Sequence, residues 1–501
     1  MINRRLLRLS FRCWLQNISV REDPLNLTLQ RKRWVALSVL FFSISSGCAL
    51  THPTVASRVP TIQRWGLSEQ APATPPPALP ATPLDLQQAI RIALANNPDI
   101  AAAGWDEKAA QARYDAAFGE RLPALKAIGG YTLYNNDQRL VPTRYNGEPG
   151  VFSDEIAAAD LVLTLPLFTG GRLINQVRAT ELLHQAAGQR LARSRQELTF
   201  NVSSVFFNIL AQQKVVESLE FSRRVLEENI KRVDALIAAQ KAAGVDRLRT
   251  EVRLADIQQR WVRESNVMAI QYRVFANLLG FGGAPNDPPS IQGELALDPQ
   301  QKIPDCPTAL ALARSRRGDF LAANSALEAQ ARSVDAARAG HLPTVSLIGS
   351  YGERWALGET TGPPRGGGDD SEDVGRIGVV VELPLFEGGR TEARIRDQLA
   401  RLAADQNRLR KLELQICLDV ETALLNIHSS RERIDATQKA VEQARESLRI
   451  EGLRYDAGKG AIVDVLDAER ALLDAKTNYY RALADFHTAL AQLRLATGGE
   501  I

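Results

Sequence analysis

Three carboxylates and a phenol stand beside two glycine-containing breaks in long helical stretches. Asp246 follows Ala243-Gly244, while Tyr455, Asp464 and Asp467 flank Gly458-Lys459-Gly460. A carboxylate just past such a break can cap the next helix, worth about 0.5–2 kcal/mol. Repeated around a multi-copy assembly, Asp464 and Asp467 would each make a ring of negative charge that selects cations. A different chemistry is offered by Cys48. Arg31-Lys32-Arg33 precede a short apolar stretch, Trp34 to Gly47, which is too short for a transmembrane helix of about 20 residues and reads as a signal segment. Ser45-Ser46-Gly47-Cys48 resembles a bacterial lipobox, which would make Cys48 the acylated first residue of the mature chain; its first position departs from the usual Leu, and cleavage elsewhere is the alternative.

Catalysis finds no support. His52, His184, His341, His428 and His487 carry no metal-ligand spacing, and there is neither a phosphate loop ending in Lys-Ser/Thr nor a nucleophile elbow. The expectation is no enzyme, no cofactor and no metal site. Gly366-Gly-Gly-Asp-Asp370 reads as a solvated external loop. A net charge of +3 over 501 residues, with 24% charged residues in near balance, excludes a nucleic-acid binder. Cys306 and Cys417, left once Cys13 is removed and Cys48 acylated, make no disulfide framework.

The elements that carry these residues come in two copies. Leu165-Pro-Leu-Phe-Thr-Gly-Gly-Arg172 returns 218 residues later as Leu383-Pro-Leu-Phe-Glu-Gly-Gly-Arg390, and Leu122-Pro123 returns after 220 as Leu342-Pro343. Four segments follow: a signal region at 1–47, a Pro-rich tether at 48–83, and repeats at 84–300 and 301–501. From Gly171 to about Gln240 no proline intervenes, permitting a helix on the order of 100 Å; Arg390 to Asp456 is its counterpart. Val202, Val205, Ile209, Val216, Leu219, Leu226, Ile230, Val233 and Ile237 mark a 3-4 apolar seam with Gln212 and Arg223 interrupting, the 3.5-residue repeat of coiled coils. Val420, Ala423, Ile427, Ile434, Val441, Ala444 and Leu448 repeat it. Returning helices are expected at about 246–279 and 463–497, the latter with its seam at Leu472, Tyr479, Leu483, Phe486, Leu490 and Leu493. Shorter helices precede each repeat at about 85–121 and 307–340, broken at Asn97-Pro98 and Gly318.

Between short and long helices lie two strand pairs. Asp160–Phe168 and Arg376–Phe386 alternate an apolar face with a mixed one, and 124–134 and 344–355 are their partners. Strands of this length suit a transmembrane barrel, which four strands cannot close; three chains supply twelve. Pro166 and Pro384 fall near strand ends where a sheet can bend. Gly170-Gly171 and Gly388-Gly389 fall where strand must turn into helix.

The paired Leu-Pro-Leu-Phe-x-Gly-Gly-Arg segments and the tip Tyr455-Asp-Ala-Gly458-Lys-Gly-Ala-Ile-Val-Asp464-Val-Leu-Asp467-Ala resemble the trimeric TolC-like outer membrane efflux proteins over about 84 to 499, and the lipobox places the chain with their lipoprotein branch. The resemblance implies a mainly α fold with a transmembrane β portion: a homotrimer whose 12-stranded barrel in outer membrane lipid continues into a periplasmic helical tunnel. It implies docking to a periplasmic adaptor and an inner membrane pump, and passive export through the duct. It further implies that Asp464 and Asp467 line a closed periplasmic entrance latched by Tyr455 and Asp246. The family's latch arginine falls on Gly460, with Lys459 and Arg247 as the nearest substitutes. A general diffusion porin and a structural envelope rod without a lumen are the alternatives.

Overall fold

A computed structural model describes residues 83–142, 150–240, 243–281, 290–297, 301–358 and 371–499. The signal region, the tether with Cys48 and the Gly366–Asp370 loop lie outside the described residues. Helices α1 (Leu86–Asn96) and α2 (Pro98–Gly119) lead into strands β1 (Ala124–Arg139) and β2 (Phe152–Phe168), then the long α3 (Arg172–Ala238) and the returning α4 (Gly244–Leu278). The order repeats as α5 (Cys306–Arg316), α6 (Gly318–Arg338), β3 (Thr344–Ala356), β4 (Ser371–Glu382), α7 (Arg390–Asp456) and α8 (Ile462–Thr497).

Local chemistry explains the boundaries. Asp85 caps α1, accepting the Gln88 N–H at 2.6 Å while the Gln88 side chain accepts the Asp85 N–H at 3.3 Å. Asn97 ends α1 and caps α2 by accepting the Asp99 N–H at 2.9 Å, with Pro98 at the first helical position. Gly170-Gly171 and Gly388-Gly389 have φ of 63° and 87°, and 65° and 79°, the left-handed region that a Cβ disfavours. Gly280 and Gly498, one at the end of each returning helix, have φ of 85° and 86° and press onto the break in the short column. A Cβ on Gly280 would lie 2.5 Å from the Asn96 carbonyl oxygen, and one on Gly498 2.6 Å from the backbone of Arg316.

The four strands form one antiparallel sheet in the order β1-β2-β3-β4, so β1 and β4 are its edges. Residues directly opposite share a face. One face collects Leu125, Tyr131, Leu161, Leu163, Leu165, Val345, Leu347, Tyr351, Ile377, Val379 and Val381; the other collects Lys126, Asp160, Thr164, Ser346, Ser350, Arg354, Arg376 and Glu382. On the second face Arg354 pairs with Asp160 at 2.9 Å, and Arg376 donates to Ser350 at 3.0 Å. The first face is open: Leu125, Tyr131 and Ile377 are 64%, 58% and 77% exposed. Among the described residues no helix is long and apolar enough to cross a membrane.

Two expectations are corrected. β2 begins at Phe152, and β4 ends at Glu382, before Pro384. The second follows from pairing: Glu382 lies opposite Thr344, the first residue of β3, so 383–386 have no strand beside them within the chain. Their counterparts, Leu165 to Phe168, pair with Leu347 to Val345 across a bulge at Pro166/Phe168. The seam also drifts by one residue in places: Phe206, Val215 and Leu473 are buried where Val205, Val216 and Leu472 were expected. An α-helix turns every 3.6 residues and slides off a strict 3.5-residue stripe in this way.

α3 is the hub, packing on α1, α2, α4, α6 and α8. α7 touches α5, α6 and α8. Of 67 residues each, 19 are buried in α3 and 7 in α7. One long helix is enclosed within the chain; the other has an open flank. Cys306 and Cys417 are free thiols.

Candidate functional site

The α3–α4 and α7–α8 turns meet at one end of the helical column. Tyr455, in the last turn of α7, joins the apolar core formed by Leu226, Val233, Ile257, Ile462 and Leu466. Its hydroxyl is buried without a hydrogen-bond partner. Burial, then the Asp246 carboxylate, push its pKa above the usual phenol value, with Arg232 opposing. Tyr455 and Asp246 therefore lie within electrostatic range of each other across the two hairpins, with no hydrogen bond between them. Asp246 also lies 3.9 Å from Arg249, and its carbonyl accepts the Thr250 hydroxyl at 2.8 Å.

Asp464 sits in the first turn of α8 and its carboxylate accepts the Ala461 N–H at 3.4 Å, a weak cap. Asp467, one turn further, is exposed, as is Asp464. Both carboxylates are thus free to face solvent or a second copy.

The position of the expected latch arginine has a steric explanation. A Cβ on Gly460 would lie 3.2 Å from Arg454 Cβ and 3.2 Å from the Tyr455 nitrogen, tighter than an ordinary contact. The tight turn, with Gly458 at φ 70°, leaves little room for a side chain there. Arg247 turns back to Asp234 at 2.8 Å and Glu251 at 3.0 Å. Lys459 is exposed, its N–H donating to the Arg454 carbonyl at 2.8 Å. Arg232 of α3 ion-pairs with Asp456, the residue after Tyr455. That pair ties the α3–α4 hairpin to α7.

Two buried polar links behind the tip were not singled out from the sequence. Glu469 of α8 is 7% exposed; it accepts the Ser222 hydroxyl at 2.7 Å, and its second oxygen has no partner. Burial raises its pKa, with Ser222 and Arg253 pulling the other way. Gln212, seen only as a seam interruption, donates at 2.9 Å to both the carboxylate and the carbonyl of Glu264. Arg263 at 2.9 Å and Arg481 at 3.6 Å face the same carboxylate, and Arg260 reaches Asp474 at 3.2 Å. Arg260, Arg263, Glu264, Asp474 and Arg481 line a polar cleft of about 280 Å³ where α3, α4 and α8 meet. Among the described residues no His, Cys, Asp or Glu cluster has the arrangement of a metal site.

An open apolar sheet at one end and a carboxylate-bearing double hairpin at the other call for comparison with known proteins. The family model described as outer membrane efflux protein matches residues 89–280 and 309–499. The outer membrane protein TolC of Vibrio cholerae is 24% identical over 417 residues, covering 80% of this chain and 88% of the relative. The outer membrane protein OprJ of Pseudomonas aeruginosa is 26% identical over 418 residues, covering 81% and 84%. The crystal structure of the outer membrane protein VceC from Vibrio cholerae superposes with a TM-score of 0.67 at 21% identity, over 83% of this chain and 96% of that one, which establishes the fold. The chain belongs to the outer membrane efflux protein family, channel proteins of the bacterial outer membrane that serve efflux and secretion systems and extend into the periplasm.

Proposed function

We propose that three copies close into one duct that exports solutes passively, held to the outer membrane by acylated Cys48 and gated at the helix tips. The observation that carries this reading is the four-stranded sheet, apolar on one open face and unpaired at both edges. Small barrels take about eight strands, so one chain cannot close and three supply twelve. Exposed apolar stripes on the helices support the same assembly: Val245, Leu248 and Val252 on α4, and Leu414, Leu418 and Leu425 on α7. The 84–300 and 301–501 repeats act as interlocked halves rather than independent domains, since β2 pairs with β3 across them.

At the periplasmic end Asp464 and Asp467 of three copies form the cation-selecting rings, and Asp246, Tyr455 and the Arg232–Asp456 pair hold the hairpins in the closed arrangement. The junction residues Pro166, Gly170, Gly171, Pro384, Gly388 and Gly389 play structural parts, turning barrel into tunnel. A passive duct needs an energised inner membrane pump and a periplasmic adaptor that engages the tips. A lumenless rod has no use for an apolar sheet face, and a diffusion porin has none for 67-residue helices. The mass of the detergent-purified protein tests the assembly: three chains per particle are expected, and a monomer that binds no adaptor refutes it.

A further inference from the structure

The two repeats agree in strand register from Ala124↔Thr164 to Leu133↔Glu155, beyond which β1 has a register shift. Adding 220 to β1 and 218 to β2 turns the pair Ala124↔Thr164 into Thr344↔Glu382, which is the pair found in the β3–β4 hairpin. The β2–β3 joint, however, occurs once within the chain. Its pairs include Thr164↔Ile348, Leu165↔Leu347 and Pro166↔Ser346. Carried forward by 218 on β2 and back by 220 on β3, the same joint pairs β4 with the β1 edge of a second copy, as Glu382↔Ile128, Leu383↔Ala127 and Pro384↔Lys126.

Three observations fit this joint. It supplies a strand to 383–386, where Leu385 and Phe386 are 90% and 89% exposed. It also explains the difference between two glycines of nearly equal φ. A Cβ on Gly170 would lie 2.6 Å from Leu342 Cβ, whereas one on Gly388 meets nothing within the chain; the shift that takes Leu342 to Leu122 gives Gly388 its neighbour in the second copy. Lastly, the charges are complementary. Thr164 and Ser346, neutral diagonal neighbours at the internal joint, become Glu382 and Lys126 at the seam, whose long side chains can meet across a diagonal. The internal ion pair Asp160–Arg354 becomes Gly378 and Tyr134. Each kind of joint thus carries an ion pair at a level where the other is neutral, which discourages one joint from replacing the other.

We propose that β4 of one copy pairs antiparallel with β1 of the next in the register Leu383↔Ala127, and that a Lys126–Glu382 ion pair on the polar face holds that register. This rests on the trimeric reading and specifies its seam. The test uses the full-length protein in outer membranes. Oxidation of the Ala127→Cys, Leu383→Cys variant should link chains into covalent trimers, while Gly129→Cys, Leu383→Cys, slipped by two residues, and each single cysteine should not. Covalent trimers from the slipped pair alone overturn the register and leave the trimer standing. Monomers throughout, by mass and by oxidation, overturn both. Lys126→Glu should lose the detergent-resistant trimer, and Lys126→Glu with Glu382→Lys should recover it. A double variant as labile as the single overturns the ion pair.

Discussion

Replacing Arg232 with Ala removes the one ion pair that joins α3 to the residue after Tyr455. The two side chains are 53% and 41% exposed, so solvent screening holds the pair to about 0.2–1 kcal/mol per chain. If three tips open together, the losses add to about 0.6–3 kcal/mol, a shift of about 3- to 140-fold toward the open state. Release of a small trapped fluorophore from liposomes carrying the purified protein reads that shift as a rate. Arg232→Ala and Asp456→Asn should each speed release, the double variant should add little beyond either, and Arg232→Asp with Asp456→Arg should restore slow release. Raising salt to about 1 M, where the screening length falls to about 3 Å, should bring the wild type toward the variants. Release unchanged in Arg232→Ala, or effects of the two single variants that simply add, would refute the latch.

Glu469 gives the tip a pH dependence with a defined sign. Because burial raises its pKa in the folded state above the ordinary 4.5, the folded form holds its proton longer; packing is strongest below the ordinary carboxyl range and weakens as pH rises through the raised value. Glu469→Gln should therefore be more stable than the wild type at neutral pH and equal to it in acid, by hydrogen exchange of α8; parallel pH profiles would contradict this. Gly498→Ala should lower the melting temperature more than Gly458→Ala. Both pay about 1–2 kcal/mol for left-handed φ, but only the Gly498 substitution also drives a Cβ into backbone, the Gly458 position being open. Mass spectrometry of the mature N-terminus should find acylated Cys48, and Cys48→Ser should abolish the lipid while leaving trimers intact; a mature chain beginning elsewhere would remove the anchor from the account.

The long helices were legible in the sequence because glycine bounds them and no proline falls between, with Gly188 and Gly452 the lone interior glycines. The end of β4 was not, since a strand needs a partner and 383–386 have none beside them within the chain. Glu469 was nearly legible. With the seam placed at Leu466 and Leu473 rather than Leu472, a carboxylate stands in an apolar row, and a one-residue drift concealed it. Arg232 and Asp456 carry no such mark: each is an ordinary surface charge, and only the folded chain brings residues 224 positions apart together. The glycine at 460 stands in a tight turn, where a Cβ would lie 3.2 Å from Arg454 and Tyr455.

The most direct test of the duct is single-channel conductance of the purified protein in planar bilayers, wild type beside the Asp464→Ala, Asp467→Ala variant. The account predicts stable cation-selective pores of low conductance in the wild type, and higher conductance with weaker cation selectivity once the carboxylates are gone. A protein that inserts yet passes no current in either form would contradict it.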